Sequence, residues 1–133
     1  SGRADAGVGD DTELKELQAR FETGRFADRI PIAVEPAFSL VIGGQLVRGR
    51  IDAVFEEEPG HFLVVDWKTN RAQTADPLQL AIYRQAWAEL NDVPVEQVRA
   101  AFHYVRTDDL VEPEELPGRA ELEQLVASLH APG

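Results

Sequence analysis

Five side chains near the middle of this 133-residue chain have types and spacing suited to metal-assisted hydrolysis: Asp52, Asp66, Lys68, Gln79 and Tyr83. Asp66 and Lys68 lie two apart in His61-Phe62-Leu63-Val64-Val65-Asp66-Trp67-Lys68-Thr69, the most apolar and β-branched run of the chain. Residues two apart on a strand share a face, and the charged end of such a strand is where open α/β sheets place ligands. If Glu58-Pro59-Gly60 is a three-residue hairpin loop, Glu57 pairs with His61. Counting back then sets Asp52 opposite Asp66, with Cβ atoms about 4.5–5.5 Å apart. Two carboxylates so placed repel unless a proton or a cation intervenes. A divalent cation between them leaves room for a phosphate oxygen and a water, as phosphodiester hydrolysis requires. Lys68 can then orient or help deprotonate that water and stabilise charge in the transition state. Gln79 and Tyr83, four apart, share a helix face and can hold Lys68 or a phosphate without adding charge, with Thr69 as a further contact.

Each of these residues also has a plainer reading. Asp52, Asp66 and Lys68 could form a surface ion-pair cluster contributing only about 0–1 kcal/mol, but that reading does not anticipate the helix pair downstream. Gln79 and Tyr83 could serve packing alone. Glu35, beside Pro36, is either a solvated edge acid or a group approaching the metal. His61 reads as a turn residue, and His103 and His130, without an acid or histidine at metal-ligand spacing, read as structural. Trp67 and Trp87 read as core or interface aromatics.

The elements that must position these groups can be traced along the sequence. A first amphipathic helix starts at Asp11, with Leu14, Leu17 and Phe21 on one stripe and Gly24 as a stop. Two β-rich runs, Ala33 to Ile42 and Gln45 to Glu56, flank Gly43-Gly44, which supplies the positive φ of a tight hairpin. Pro59-Gly60 turns the chain into the Asp66 strand. Asp76-Pro77 caps and opens a helix over Leu78 to Leu90, stopped by Asn91-Asp92-Val93-Pro94. Val98 to Val105 is expected to return parallel to the Asp66 strand by a right-handed crossover, followed by a short edge strand at Leu110 to Glu112. A last helix spans about Arg119 to His130, with Leu122, Leu125, Val126 and Leu129 on its apolar stripe. The sum is an α/β fold with a mixed sheet, a three-stranded antiparallel meander and a β-α-β crossover, flanked by helices.

Residues 1–10 are expected to be a disordered lead-in or boundary remnant before one domain over 11–133. Neither a secretory leader nor a membrane span is expected, and a cytoplasmic protein is. Without cysteine there is no thiolate zinc site and no cysteine-held iron–sulfur cluster, so any metal is held by oxygen or imidazole, which favours Mg²⁺ or Mn²⁺. No Gly-rich phosphate loop is present to bind ATP. The net charge of −11 would repel a nucleic-acid backbone, so a domain acting on DNA would need a neighbour to supply the grip.

Taken in order, Gly49-Arg50-Ile51-Asp52, Val65-Asp66-Trp67-Lys68-Thr69 and Gln79 with Tyr83 resemble the signature of the RecB family within the PD-(D/E)XK nucleases. The likeness runs over roughly residues 33–112 and includes Glu35 and Phe38. It implies a restriction-endonuclease-like fold and a Mg²⁺- or Mn²⁺-dependent deoxyribonuclease. By the same resemblance Asp52, Asp66 and the main-chain carbonyl of Trp67 ligate the metal, Lys68 is catalytic, and Gln79 and Tyr83 form the downstream motif. The context implied is the C-terminus of a UvrD/Rep-type, superfamily 1 helicase-nuclease such as RecBCD, AddAB or AdnAB, acting in double-strand break repair and recombination. DNA and helicase domains of the same parent or a partner subunit are the implied partners, and ATP belongs to the helicase domains. Two departures stand out: no histidine precedes His61, where the family carries a metal-binding histidine on an upstream helix, and the cysteines of the AddB-like branch are absent. The first leaves open a catalytically degenerate fold used as a scaffolding module, or a fragment inactive without its upstream helices.

Overall fold

In the apolar strand that carries Asp66 and Lys68, both faces are covered, which is why it reads as a continuous rather than an alternating hydrophobic run. In the computed structural model, which describes residues 11–70 and 72–129, this strand is β5 (His61–Lys68), the middle of a five-stranded sheet. Its order is β1 (Ala33–Val34), β4 (Ala53–Glu58), β5, β6 (Val98–Tyr104) and β7 (Asp109–Val111). β5 and β6 run parallel, joined by α2 (Pro77–Leu90) and a short 3-10 turn at Val95–Gln97, and the other neighbours are antiparallel. A separate antiparallel pair, β2 (Ala37–Ile42) and β3 (Gln45–Arg50), completes the strands. α1 (Asp11–Glu22) and α3 (Arg119–Leu129) complete the helices. The mixed α/β architecture expected from the sequence is thus present. Residues 1–10, the side chain of Leu129 and His130 lie outside the described residues. Among the described residues no helix is long and apolar enough to cross a membrane.

One expectation is refined. The two runs read as single strands, Ala33 to Ile42 and Gln45 to Glu56, are each broken, at Glu35-Pro36 and at Ile51-Asp52. The ladder nevertheless keeps its register through the break. Val34 pairs with Ala53 below it and Ala37 with Arg50 above it, while Glu35 N–H donates to Asp52 O at 2.9 Å and Ile51 N–H to Pro36 O at 3.1 Å. It is one hairpin bent so that its base joins the main sheet and its tip peels away. Pro36 has no N–H to give to a ladder, and Glu35 sits at φ 52°, a left-handed conformation costly for a residue with a side chain. The tip turns on Gly43 and Gly44, both at positive φ, as two-residue hairpin loops require.

The turn before β5 differs in detail from expectation. Pro59-Gly60 is a two-residue turn with Gly60 at φ 81°, and Glu58 rather than Glu57 faces His61. A β-bulge between Glu56 and Glu58 supplies the extra residue, so Ala53 still faces Val65 and the register continues to Asp52 beside Asp66.

Alternation along β5 divides the core between two layers. Phe62 and Val64 face α2, α3 and the bent hairpin, in a cluster with Leu40, Leu80, Phe102 and Leu122. Leu63 and Val65 face the other way, towards Phe26, Phe55 and Ala101, with Phe21 of α1 packed against them. α1 is thinly anchored: Phe21 is half-buried, whereas Leu14 is 61% exposed. α2 is capped as its sequence indicates, with Asp76 Oδ1 accepting from Leu78 N–H at 3.0 Å and Pro77 in the first turn.

Candidate active site

Where the hairpin bends away from β5, the end of β5 loses its antiparallel neighbour, and a cavity of about 350 Å³ opens there, lined by Glu35, Arg50, Asp52, Asp66, Lys68, Gln79 and Tyr83. Asp52 stands on the bend. Its Oδ2 accepts from the main-chain N–H of Trp67 at 2.8 Å, the bond that a continuing β4 would otherwise have made to the ladder. A carboxylate thereby replaces a strand carbonyl, and the sheet end is rigid although the strand has left.

Asp66, 4% exposed, is the most deeply buried acid in the cavity. Burial, then its carboxyl contact with Asp52, push its pKa up to about 6 against the pull of Lys68. Lys68 Nζ lies 3.2 Å from Asp66 Oδ2, but off the hydrogen-bond direction, so this buried oxygen is ion-paired and still lacks a hydrogen-bond donor. The ammonium instead donates to Gln79 Oε1 at 3.3 Å, and Gln79 Nε2 donates to Tyr83 OH at 3.0 Å. Placement on one helix face lets Gln79 and Tyr83 act in series, so the Gln79 amide is fixed at both ends and its oxygen holds the Lys68 ammonium. Burial, and next the charges of Asp66 and Asp52, raise the Tyr83 phenol above its ordinary pKa of 10.0. Lys68 also lies 5.8 Å from the centre of the Phe102 ring on β6.

Most of the residues singled out from the sequence therefore meet in one cavity, but not all. Thr69 is exposed at its edge, and its carbonyl accepts from Arg106 Nε at 2.6 Å. The Trp67 side chain points to the opposite face of the sheet, edge-on to Phe21 at 5.1 Å. His103 is buried on that opposite face too, with a partner that its spacing in the sequence does not suggest. An acid does reach it: Asp108, in a left-handed turn at φ 58°, brings Oδ1 within 2.8 Å of His103 Nε2. Arg50 was not singled out. It lies two residues before Asp52, the signal that could have found it, but its place at the cavity depends on the bend, where its NH1 donates to Glu35 O at 3.1 Å.

A divalent cation fits what the cavity offers. Two carboxylates are pressed together, one of them buried, with its acidity suppressed and one oxygen lacking a donor, and a cation would relieve each of these. The donor set is small, because among the described residues no three His, Cys, Asp or Glu side chains are grouped to hold an ion.

The order of these elements can be compared with known proteins. No curated protein matches this chain. Among solved structures it is similar to the crystal structure of SSO0001, at 20% identity and a TM-score of 0.45, over 92% of this chain and 60% of that one. The chain thus spans less than two thirds of that protein. A family model described as the PD-(D/E)XK nuclease superfamily matches residues 8–131. That span takes in the bent hairpin, the Asp66–Lys68 strand end and the helix of Gln79 and Tyr83 together, and by this match the chain belongs to the PD-(D/E)XK nuclease superfamily.

Proposed function

We propose that this chain is a metal-dependent DNA nuclease domain, in which Asp52 and Asp66 hold Mg²⁺ or Mn²⁺ and Lys68 is the catalytic cation. The observation that carries this reading is the buried Asp66 oxygen without a donor, beside an ammonium held in place by Gln79 and Tyr83. The Trp67 N–H points to the edge vacated by the hairpin, and in an extended strand the carbonyl of the same residue points to that edge as well. It is the third ligand in this reading. When bound, the cation supplies Lewis acidity at a phosphate oxygen and lowers the pKa of a water. The protein's own part is to orient that water from Lys68, to stabilise charge developing on the phosphate, and to fix the ammonium through Gln79 and Tyr83. Family membership and the ordered motifs support the chemistry. The RecB-like motif order and the charge of −11 support a place within a larger helicase-nuclease of break repair, where other domains hold the DNA.

The second reading, a non-cleaving scaffold, is favoured by one observation: among the described residues only a small donor set faces the cavity. Digestion of single- and double-stranded DNA at low salt with Mg²⁺ or Mn²⁺ separates the two. It should compare the chain, its Lys68→Ala variant and the longest parent protein. We expect cleavage by the parent that is lost in Lys68→Ala. Absence of metal-dependent cleavage from all of them would overturn the nuclease reading in favour of the scaffold.

A further inference from the structure

A second cavity, about 320 Å³, lies between β3 and the first turns of α2 and adjoins the catalytic one, sharing Gln79 and Tyr83 with it. Its character is different. The catalytic cavity is walled by charge, whereas this one is walled mainly by Phe38, Val47, Leu78, Ile82 and Tyr83. Its floor is rigid for a steric reason. Gly49 faces Phe38 across the hairpin, and a Cβ on Gly49 would come within 2.9 Å of the ring, so only glycine lets Phe38 lie against β3. Phe38 in turn meets Tyr83 edge-on at 5.5 Å.

Two arginines mark the path between the cavities, Arg48 lining the apolar one and Arg50 the catalytic one. They are two residues apart on β3, hence about 7 Å apart on one strand face, the exposed face opposite that of Val47 and Gly49. Of the nine arginines among the described residues, Arg20, Arg25, Arg99, Arg106 and Arg119 make ion pairs and Arg29 and Arg84 do not. Among the described residues neither Arg48 nor Arg50 makes an ion pair, and both are exposed. The one acid on the apolar cavity, Asp76, has Oδ1 committed to the helix cap.

We propose that the apolar cavity is a subsite for one unpaired nucleobase of a single DNA strand, with Arg48 and Arg50 on the phosphates flanking it. The proposal deepens the nuclease reading and rests on it for the direction of the strand towards Asp66. A cavity of this size, at the low end of the roughly 300–1,000 Å³ of small-molecule sites, accepts one base and not a stacked pair. Arginine contacts to phosphate position the strand, and the aromatic and aliphatic walls take a base face without regard to sequence. A base in a duplex would first have to leave its stack, so the subsite favours single strands or frayed ends.

The test is read by binding rather than by cleavage. The ¹⁵N-labelled chain is titrated with a 5′-phosphorylated thymidine trinucleotide, and with its analogue in which the middle base is absent, while amide shifts are followed. We expect shifts at Val47 to Arg50 and Leu78 to Tyr83, with at least about tenfold weaker binding of the analogue, as loss of one stacked base implies. Ile82→Trp, which fills the cavity, should bring both probes to the weaker affinity, whereas Arg48→Gln should weaken both in proportion. Equal affinity for the two probes in the unaltered chain overturns the subsite, as does absence of shifts with either at millimolar concentration. Base-dependent shifts, where neither the chain nor its longest parent protein cuts DNA, would instead leave the subsite standing and remove the nuclease reading.

Discussion

The two faces of the sheet at the end of β5 carry the same kind of chemistry to opposite ends. On the α2 face, Asp66 is buried beside another acid, its pKa is pushed up to about 6, and one oxygen has no donor. On the far face, Asp108 reaches buried His103 and also accepts from the Arg25 N–H at 3.1 Å. Slight burial works against the charge of Asp108, but bonds from His103 and Arg25 outweigh it and hold the carboxyl below its ordinary pKa. One acid is satisfied by the fold and the other is left in conflict. Groups left in conflict where a cavity opens are those positioned to act on something else.

This contrast can be broken by substitution, and the largest effect should come from the conflicted face. In Lys68→Ala, cleavage by an active form of the protein should fall about 10²–10³-fold, the range seen when one charge-stabilising donor is removed. The melting temperature should change little, and a fall in melting temperature that tracks the loss of activity would place Lys68 among the structural groups. The far face should behave the other way. His103→Ala removes a buried ring packed against Phe26 at 4.9 Å, and should cost about 2–4 kcal/mol by denaturant unfolding while leaving the Asp66 cavity formed.

Asp66→Asn should stabilise the metal-free chain near neutral pH, by an amount on the order of 2 kcal/mol. The sign follows from proton binding. The folded-state pKa is raised above 3.8, so the folded state binds the proton more tightly. The stability that Asp66 contributes is complete below about 3.8 and is lost as pH rises through about 6. The gain from asparagine should therefore be full above that range and disappear at acid pH. Added Mg²⁺ or Mn²⁺ should raise the melting temperature of the unaltered chain and not of Asp66→Asn. A variant that is no more stable at pH 7.5 would remove the conflict on which the contrast depends. Asp108→Asn should give the smallest effect, below about 1 kcal/mol, because the Asp108 carboxyl is itself exposed although its partner His103 is buried. Here the folded pKa is depressed, so the contribution is present above the unfolded value of 3.8 and is lost as pH falls through the lower folded value.

Much of this arrangement was legible because its signals are local. The Gly43-Gly44 tip, the Asp76-Pro77 cap and the Asp66–Lys68 strand end each follow from residues within a turn or two of one another. Asp52 came out opposite Asp66 although the turn was read one residue too long, since the bulge after Glu56 adds the residue that the loop lacks. The bend was not legible to the same degree. Pro36 marks one strand, but Ile51-Asp52 on the other carries no breaker and bends only because it is paired with Glu35-Pro36. Arg50 and the apolar cavity depend on that bend, as does Phe38 against Gly49, and none follows from spacing alone. Asp108 was missed as a partner of His103 because its reach depends on a left-handed residue in the turn, a conformation no residue type announces reliably.

The bent hairpin also bears on the order of folding. Every residue lining the cavity of Asp52 and Asp66 comes from Glu35 to Tyr83, through two hairpins and the helix that follows, so the cavity depends on contacts of short sequence separation. Such contacts lose little loop-closure entropy and form early, whereas the parallel pairing of β5 with β6 must wait for the whole crossover. The acids would then be brought together before β6 supplies Phe102 beneath Lys68, and a metal ion could bind a folding intermediate as well as the finished domain.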